Sequence, residues 1–184
     1  MPNANAPRGF VPIRHLSGGA IRENKYPIAS ASANAIHYGD LVKLLDTGYI
    51  DVAAAGDTNI IGVFRGCNYK DATGDVRFER RFAAGSATLG AADVEALVID
   101  DPHVIYEVQA NTWALTNNGN NADITATAGD AVSGLSRHSI NMSSAAAATA
   151  QVRILRLAEN SDPGAFARVE CLINEHLLRS AVGI

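Results

Sequence analysis

The stretch His37-Tyr38-Gly39-Asp40-Leu41-Val42-Lys43-Leu44-Leu45-Asp46-Thr47-Gly48-Tyr49-Ile50-Asp51-Val52-Ala53 holds two short apolar runs divided by a turn tripeptide. Leu41 to Leu45 and Tyr49 to Ala53 are too short for stable helices, and their branched and aromatic residues suit strands. Asp46-Thr47-Gly48 closes them into a hairpin, with glycine supplying the positive φ such loops need. The pattern repeats outward. Ile60 to Phe64 is a third strand, and in Val76 to Phe82 the residues Val76 and Phe78 face one way while Arg77 and Glu79 face the other. Ala96 to Ile99 and Val104 to Val108 flank the turn Asp100-Asp101-Pro102, and Trp113 to Leu115 reads as a further short strand. Gln151 to Leu157 and Ala167 to Asn174 are joined by a strong turn signal, Glu159 to Gly164. Residues 117 to 149 are polar and small, loop or marginal strand, with a short helix open to Ala145 to Ala148; the tail from Glu175 to Ile184 suits a helical turn. The expectation is an all-β fold, an antiparallel β-sandwich or barrel of about eight to ten short strands.

Upstream the composition changes. Pro2, Pro7, Pro12 and Pro27, the pair Gly18-Gly19 and the Ala/Ser stretch from Ala29 to Ala35 argue against helix or central strand. The chain is therefore expected to divide into an extended N-terminal arm, residues 1–35, and a β-rich domain, residues 36–184. On such an arm Phe10, Val11, Ile13, Leu16 and Tyr26 are apolar anchors, and Arg8, Arg14 and Arg22 are partners for carboxylates on another surface. Deleting residues 1 to 25 is expected to leave the β domain folded.

The remaining features mostly exclude. The net charge is −4, and no basic block is present that would neutralise a series of phosphates, so nucleic acid is not an expected partner. Lysine occurs only at Lys25, Lys43 and Lys70, and arginine, whose planar fork suits protein contacts, supplies the other cations. No run approaches the ~20 apolar residues of a membrane helix, and the N-terminus lacks a signal-peptide core. The expected site of synthesis is a cytoplasm, where Cys67 and Cys171 are buried thiols in strands. No Gly-x-Ser-x-Gly elbow occurs, and Ser17 lies in the arm. The five histidines show no metal-ligand spacing, and Asp100 and Asp101 beside His103, or Glu175 beside His176, form a site only by converging in space. Four Gly-Asp dipeptides read as turns, because calcium needs more oxygens at regular spacing. No phosphate loop or dinucleotide fingerprint is found. No catalytic residue, metal or cofactor is expected.

Several segments together resemble the capsid cement, or head decoration, proteins of tailed bacteriophages. They are Gly39-Asp40-Leu41-Val42 with Gly48-Tyr49-Ile50, Ile60-Ile61-Gly62-Val63-Phe64, and Asp101-Pro102-His103-Val104-Ile105-Tyr106-Glu107-Val108-Gln109-Ala110. Gly119-Asn120-Asn121-Ala122-Asp123-Ile124, Gly134-Leu135-Ser136, Val152 to Leu157 and Ile173-Asn174-Glu175-His176 continue the series, which spans roughly residues 37 to 178. The resemblance implies a non-enzymatic β subunit on the virion exterior, present in many copies. Its partners would be the major capsid protein and neighbouring copies of itself, with a trimer favoured over a dimer. A phage tail or neck component is the alternative, and a small-molecule-binding or hydrolytic β-barrel is the rival outside that class.

Overall fold

A computed structural model describes residues 3–146 and 148–179. Period-two apolar runs punctuated by glycine give fourteen strands among the described residues. Six of them, β1 (Val11–His15), β10 (Val104–Gln109), β14 (Arg168–Ile173), β13 (Val152–Leu157), β11 (Asn121–Thr125) and β12 (Ser139–Ala146), form one sheet in that order. A second sheet runs β2 (Asn24–Ile28), β9 (Val94–Ile99), β6 (Ile60–Lys70), β4 (Leu41–Leu44), β5 (Ile50–Val52), with β7 (Val76–Glu79) on the far end of β6. β3 (Ile36–His37) and β8 (Arg81–Phe82) form a two-stranded ribbon. Every pairing between these strands is antiparallel.

The β4–β5 hairpin matches its sequence signature: Leu44 opposes Ile50, and Gly48 takes φ 86°. The turn at Asp100 to His103 does more than reverse the chain, because it carries it from β9 in the second sheet to β10 in the first. At the other end Asn111 donates its backbone N–H to Ile140 O at 3.1 Å and accepts that of Met142 on its side chain at 2.9 Å. This brings β12 back to the end of β10 and partly closes the first sheet.

Two cores result. Tyr106, Val108, Ile124, Ile140, Ile154 and Val169 from the first sheet pack with Leu41, Ile60 and Val63 from the second. Val42, Ile61, Phe64, Ala96 and Val98 point the other way and pack under Ile36 and Phe82 of the β3–β8 ribbon. β6 is thus buried on both faces over Ile60 to Phe64, which explains why that run is apolar without alternation. Fully burying each Val, Leu, Ile or Phe among these core residues contributes roughly 1.5–3 kcal/mol.

The segment expected as a free arm is instead part of the domain. β1 closes the edge of the first sheet against β10, and β2 closes the edge of the second against β9. Phe10 is fully buried and meets the Tyr106 ring edge-on at 5.9 Å. Pro12 and Pro27 sit in these strands because an edge tolerates a missing donor where a central strand does not. The boundary expected at residue 35 therefore does not separate two structural units.

Other differences are local. Trp113 buries its ring from a loop, followed by a 3₁₀ turn at Leu115–Asn117, so no strand forms there. The polar 117–149 region contains β11 and β12, where Ile140 and Met142 face inward between exposed or half-buried neighbours. Ala145 and Ala146 lie in β12 rather than a helix, and Ala147 is outside the described residues. The expected tail turn is a 3₁₀ turn at Leu177–Arg179, and residues 180–184 lie outside the described residues.

Candidate functional site

The structure spends most of the sequence-derived contact residues internally. Phe10 belongs to the core, and Val11 is half-buried. Arg8 donates to Glu107 at 2.8 Å, Arg14 clamps Glu170, and Arg22 donates to Asp100 at 3.2 Å. The Tyr26 hydroxyl also donates to Asp100, at 2.7 Å. Ile13 and Leu16 keep apolar surface exposed, 39% and 56%.

The arginine contacts have a cause in the register. β10 and β14 set Glu107 opposite Glu170, a like-charge cross-strand pair that repels. Arg8 and Arg168 serve Glu107; Arg14 and Arg156 serve Glu170, with Arg156 Nε at 2.8 Å. Burial alone would raise the Glu170 pKa, but the hydrogen bonds from Arg14 and Arg156 outweigh it and hold the carboxyl below its ordinary value.

A second feature is the β6–β7 ribbon. β6 continues beyond its pairing with β4 and β9, and its last residues pair only with β7. Asp71 organises the tip by accepting from Thr73 Oγ1 at 2.6 Å and from the Arg77 guanidinium at 2.8 Å. Val76 and Phe78 are each 69% exposed, and β7 has β6 as its sole partner among the described strands. An apolar edge strand left open in this way is a site for strand addition or docking.

Two histidine–aspartate groups occur among the described residues. In the first, Asp40 is buried between His37 and His138, with a carboxylate–imidazole distance of 3.5 Å on each side. Asp40 Oδ2 accepts the His37 backbone N–H at 2.7 Å, and His138 Nδ1 accepts that of Leu41 at 3.3 Å. His138 therefore carries its proton on Nε2, facing Asp40. These groups floor a cavity of about 330 Å³ walled largely by alanines, among them Ala33, Ala53 and Ala126. Gly129 lies against the His37 ring, where a Cβ would come within 2.3 Å. The group ties the β3–β4 turn to the start of β12.

In the second, His15 Nε2 lies 3.2 Å from Asp101 Oδ2, and His103 Nδ1 lies 3.6 Å from Asp101 Oδ1. Asp101 and His103 do converge, with His15 as the third member; Asp100 instead faces Arg22, Asn24 and Tyr26. Ser17 Oγ is 2.9 Å from His15 Nδ1, which makes a Ser-His-Asp chain. The serine, however, is exposed on a turn two residues from its base, with its own N–H also aimed at Nδ1. An acyl-transfer site needs backbone donors preorganised around the attacked carbonyl in a water-poor cleft, and this turn is open. Sequence reading missed His15 because the proline-rich segment was expected to leave the domain.

Cys67 and Cys171 are free, buried and in different sheets, as buried strand thiols should be. Burial, then the Glu79 charge, pushes Cys67 up to about 12, so it carries no reactive thiolate. No helix among the described residues is long and apolar enough to cross a membrane.

The buried histidines make the fold acid-sensitive. Burial, partly countered by Asp100, lowers His176 from 6.5 to about 4, and burial lowers His138 despite Asp40. The unfolded chain then binds protons that the native state refuses. Stability is full above the unfolded value and falls as pH drops from about 6.5 towards 4, by about 3 kcal/mol for His176 alone. Urea midpoints across that range should show the loss, and His176→Gln should flatten it.

No protein-family model matches the chain, and no curated protein sequence matches it.

Proposed function

We propose that the chain is a non-enzymatic structural subunit of a tailed-phage virion, a cement or decoration protein bound to the outside of the head. Its partners are the major capsid protein and neighbouring copies of itself, with a trimer on local three-fold positions favoured over a dimer. The segments from Gly39-Asp40 to Glu175-His176 motivate the family. The observation that carries a docking role is the β6–β7 ribbon, which offers Val76 and Phe78 on an open edge while Ile60 to Phe64, earlier on β6, is fully buried. Exposed Ile13 and Leu16 at the β1 edge offer a second contact.

Quantitative mass spectrometry of purified virions tests the reading. Hundreds of copies, scaling with the major capsid protein, are expected; a handful per particle would move the chain to the tail or neck, and none would remove it from the virion. The ribbon has its own test. Phe78→Asp should leave thermal melting unchanged, because the ring is mostly exposed, yet weaken attachment to subunit-free heads by about thirtyfold, the loss of a ~2 kcal/mol anchor. Undiminished decoration by this variant would take the ribbon out of the contact.

A further inference from the structure

We infer that His15, Asp101 and His103 form a binding site for one divalent transition metal of the zinc type, at the corner where β9 passes to β10. One donor atom from each residue lies within 4.8 Å of the other two. The Asp101 carboxylate sits between the imidazoles, with Oδ2 at 3.2 Å from His15 Nε2 and Oδ1 at 3.6 Å from His103 Nδ1, while a tetrahedral centre with bonds of about 2.0–2.1 Å separates its ligands by ~3.3 Å. The three donors, within 4.8 Å of one another, have to draw together by side-chain rotation to reach bonding distance.

The backbone holds the donors in place. His15 pairs with Val104 in the β1–β10 ladder, and the next residue, Leu16, donates its N–H to His103 O at 2.8 Å. His103 N–H donates to Asp101 Oδ1 at 3.0 Å, which fixes the carboxylate over its own turn. His15 Nδ1 is occupied by Ser17, so Nε2 is the nitrogen presented to Asp101. When Nε2 binds metal the proton moves to Nδ1, where Ser17 Oγ, an acceptor as well as a donor, receives it, and the Ser17 backbone N–H gives up its 3.2 Å bond to that nitrogen; such an outer partner fixes the ring.

The donor set selects the ion. Two imidazoles and one carboxylate suit zinc, cobalt, nickel or copper, whereas calcium and magnesium require more oxygen ligands. Neighbouring Asp100 is committed to Arg22, Asn24 and Tyr26, so Asp101 supplies the site's negative charge. His103 is 54% exposed on its side chain, which leaves ion access and room for water as the fourth ligand. The consequence is structural: the metal clips the first edge strand to the crossover between the sheets, and it stabilises the native state in proportion to the logarithm of its concentration over the dissociation constant. This inference does not depend on the virion role.

The test is calorimetric titration of chelator-treated, then chelator-free, full-length protein with zinc alone at neutral pH, with melting followed in parallel. One zinc per chain and a raised melting temperature reversed by chelator are expected. Asp101→Asn and His103→Ala should each weaken binding by more than about tenfold, the loss that even outer-shell changes produce. The exposed His103 makes the second variant safe for folding. Imidazole ¹⁵N resonances of His15 and His103 should move on zinc addition while those of His37, His138 and His176 stay. Absence of binding, binding unaltered in His103→Ala, or shifts confined to His37 and His138 would each overturn the assignment.

Discussion

A chain lacking residues 1 to 25 is expected to lose cooperative folding. The deletion strips β1 from the first sheet, shortens β2 in the second, opens the pocket of Phe10 and releases Glu170 and Asp100 from Arg14 and Arg22. Phe10→Ala alone should cost about 3–5 kcal/mol, the range for a buried aromatic ring replaced by alanine. Native domains have only about 5–15 kcal/mol in total, so the full deletion should leave no stable domain. Near-ultraviolet circular dichroism and urea unfolding check both variants. A truncated chain with a cooperative melt close to that of the full protein would mean that these residues are a detachable arm after all.

Gly62→Ala is expected to be comparably severe for a different reason. Gly62 pairs with Val42 on one side, and on the other its added Cβ would lie 2.0 Å from Ile99 O and 2.8 Å from Ile99 C. Both are backbone atoms of the adjacent strand, so no side chain can rotate away. β6 and β9 would have to separate where β6 is buried on both faces, at a cost of about 3 kcal/mol or more. Gly48→Ala is the matching control. Nothing lies within 4 Å of its added Cβ, and only the φ of 86° is strained, a penalty of about 1–2 kcal/mol. Equal urea midpoints for the two variants would contradict this account.

The two hairpins β4–β5 and β13–β14 were legible because their turns, Asp46-Thr47-Gly48 and Glu159 to Gly164, are local and their flanking runs are apolar. β11 and β12 were less so. Their inward residues Ile124, Ile140 and Met142 alternate with Asp, Asn and Ser, and a small-residue strand of that kind looks like loop until the opposite wall is known. The N-terminal strands invite misreading because proline reads locally as a breaker, whereas the sheet edges that β1 and β2 occupy accept it. That misreading also hid the His15 cluster, since the partners of His15 lie far along the chain and no spacing motif encodes a contact made by β1–β10 register. The ribbon was readable as a strand, but its exposure depends on where β4 and β9 stop pairing with β6, a tertiary outcome.

The two N-terminal strands have a consequence for synthesis. Val11 must wait for Glu107, and Lys25 for Leu97, before either can pair. At a translation rate of ~5–20 residues per second that interval is on the order of ten seconds, during which nascent strands and their apolar residues are free to meet other chains. Contacts so distant in sequence also place the protein among slow-folding topologies. Pro12 and Pro27 lie inside the two waiting segments, and each removes a backbone donor that a foreign strand would need. The prolines that the native edges accommodate are thus expected to hinder pairing of the newborn chain with foreign strands before its partners emerge, and replacing both should lower soluble yield in rapid expression more than it changes the stability of the folded protein.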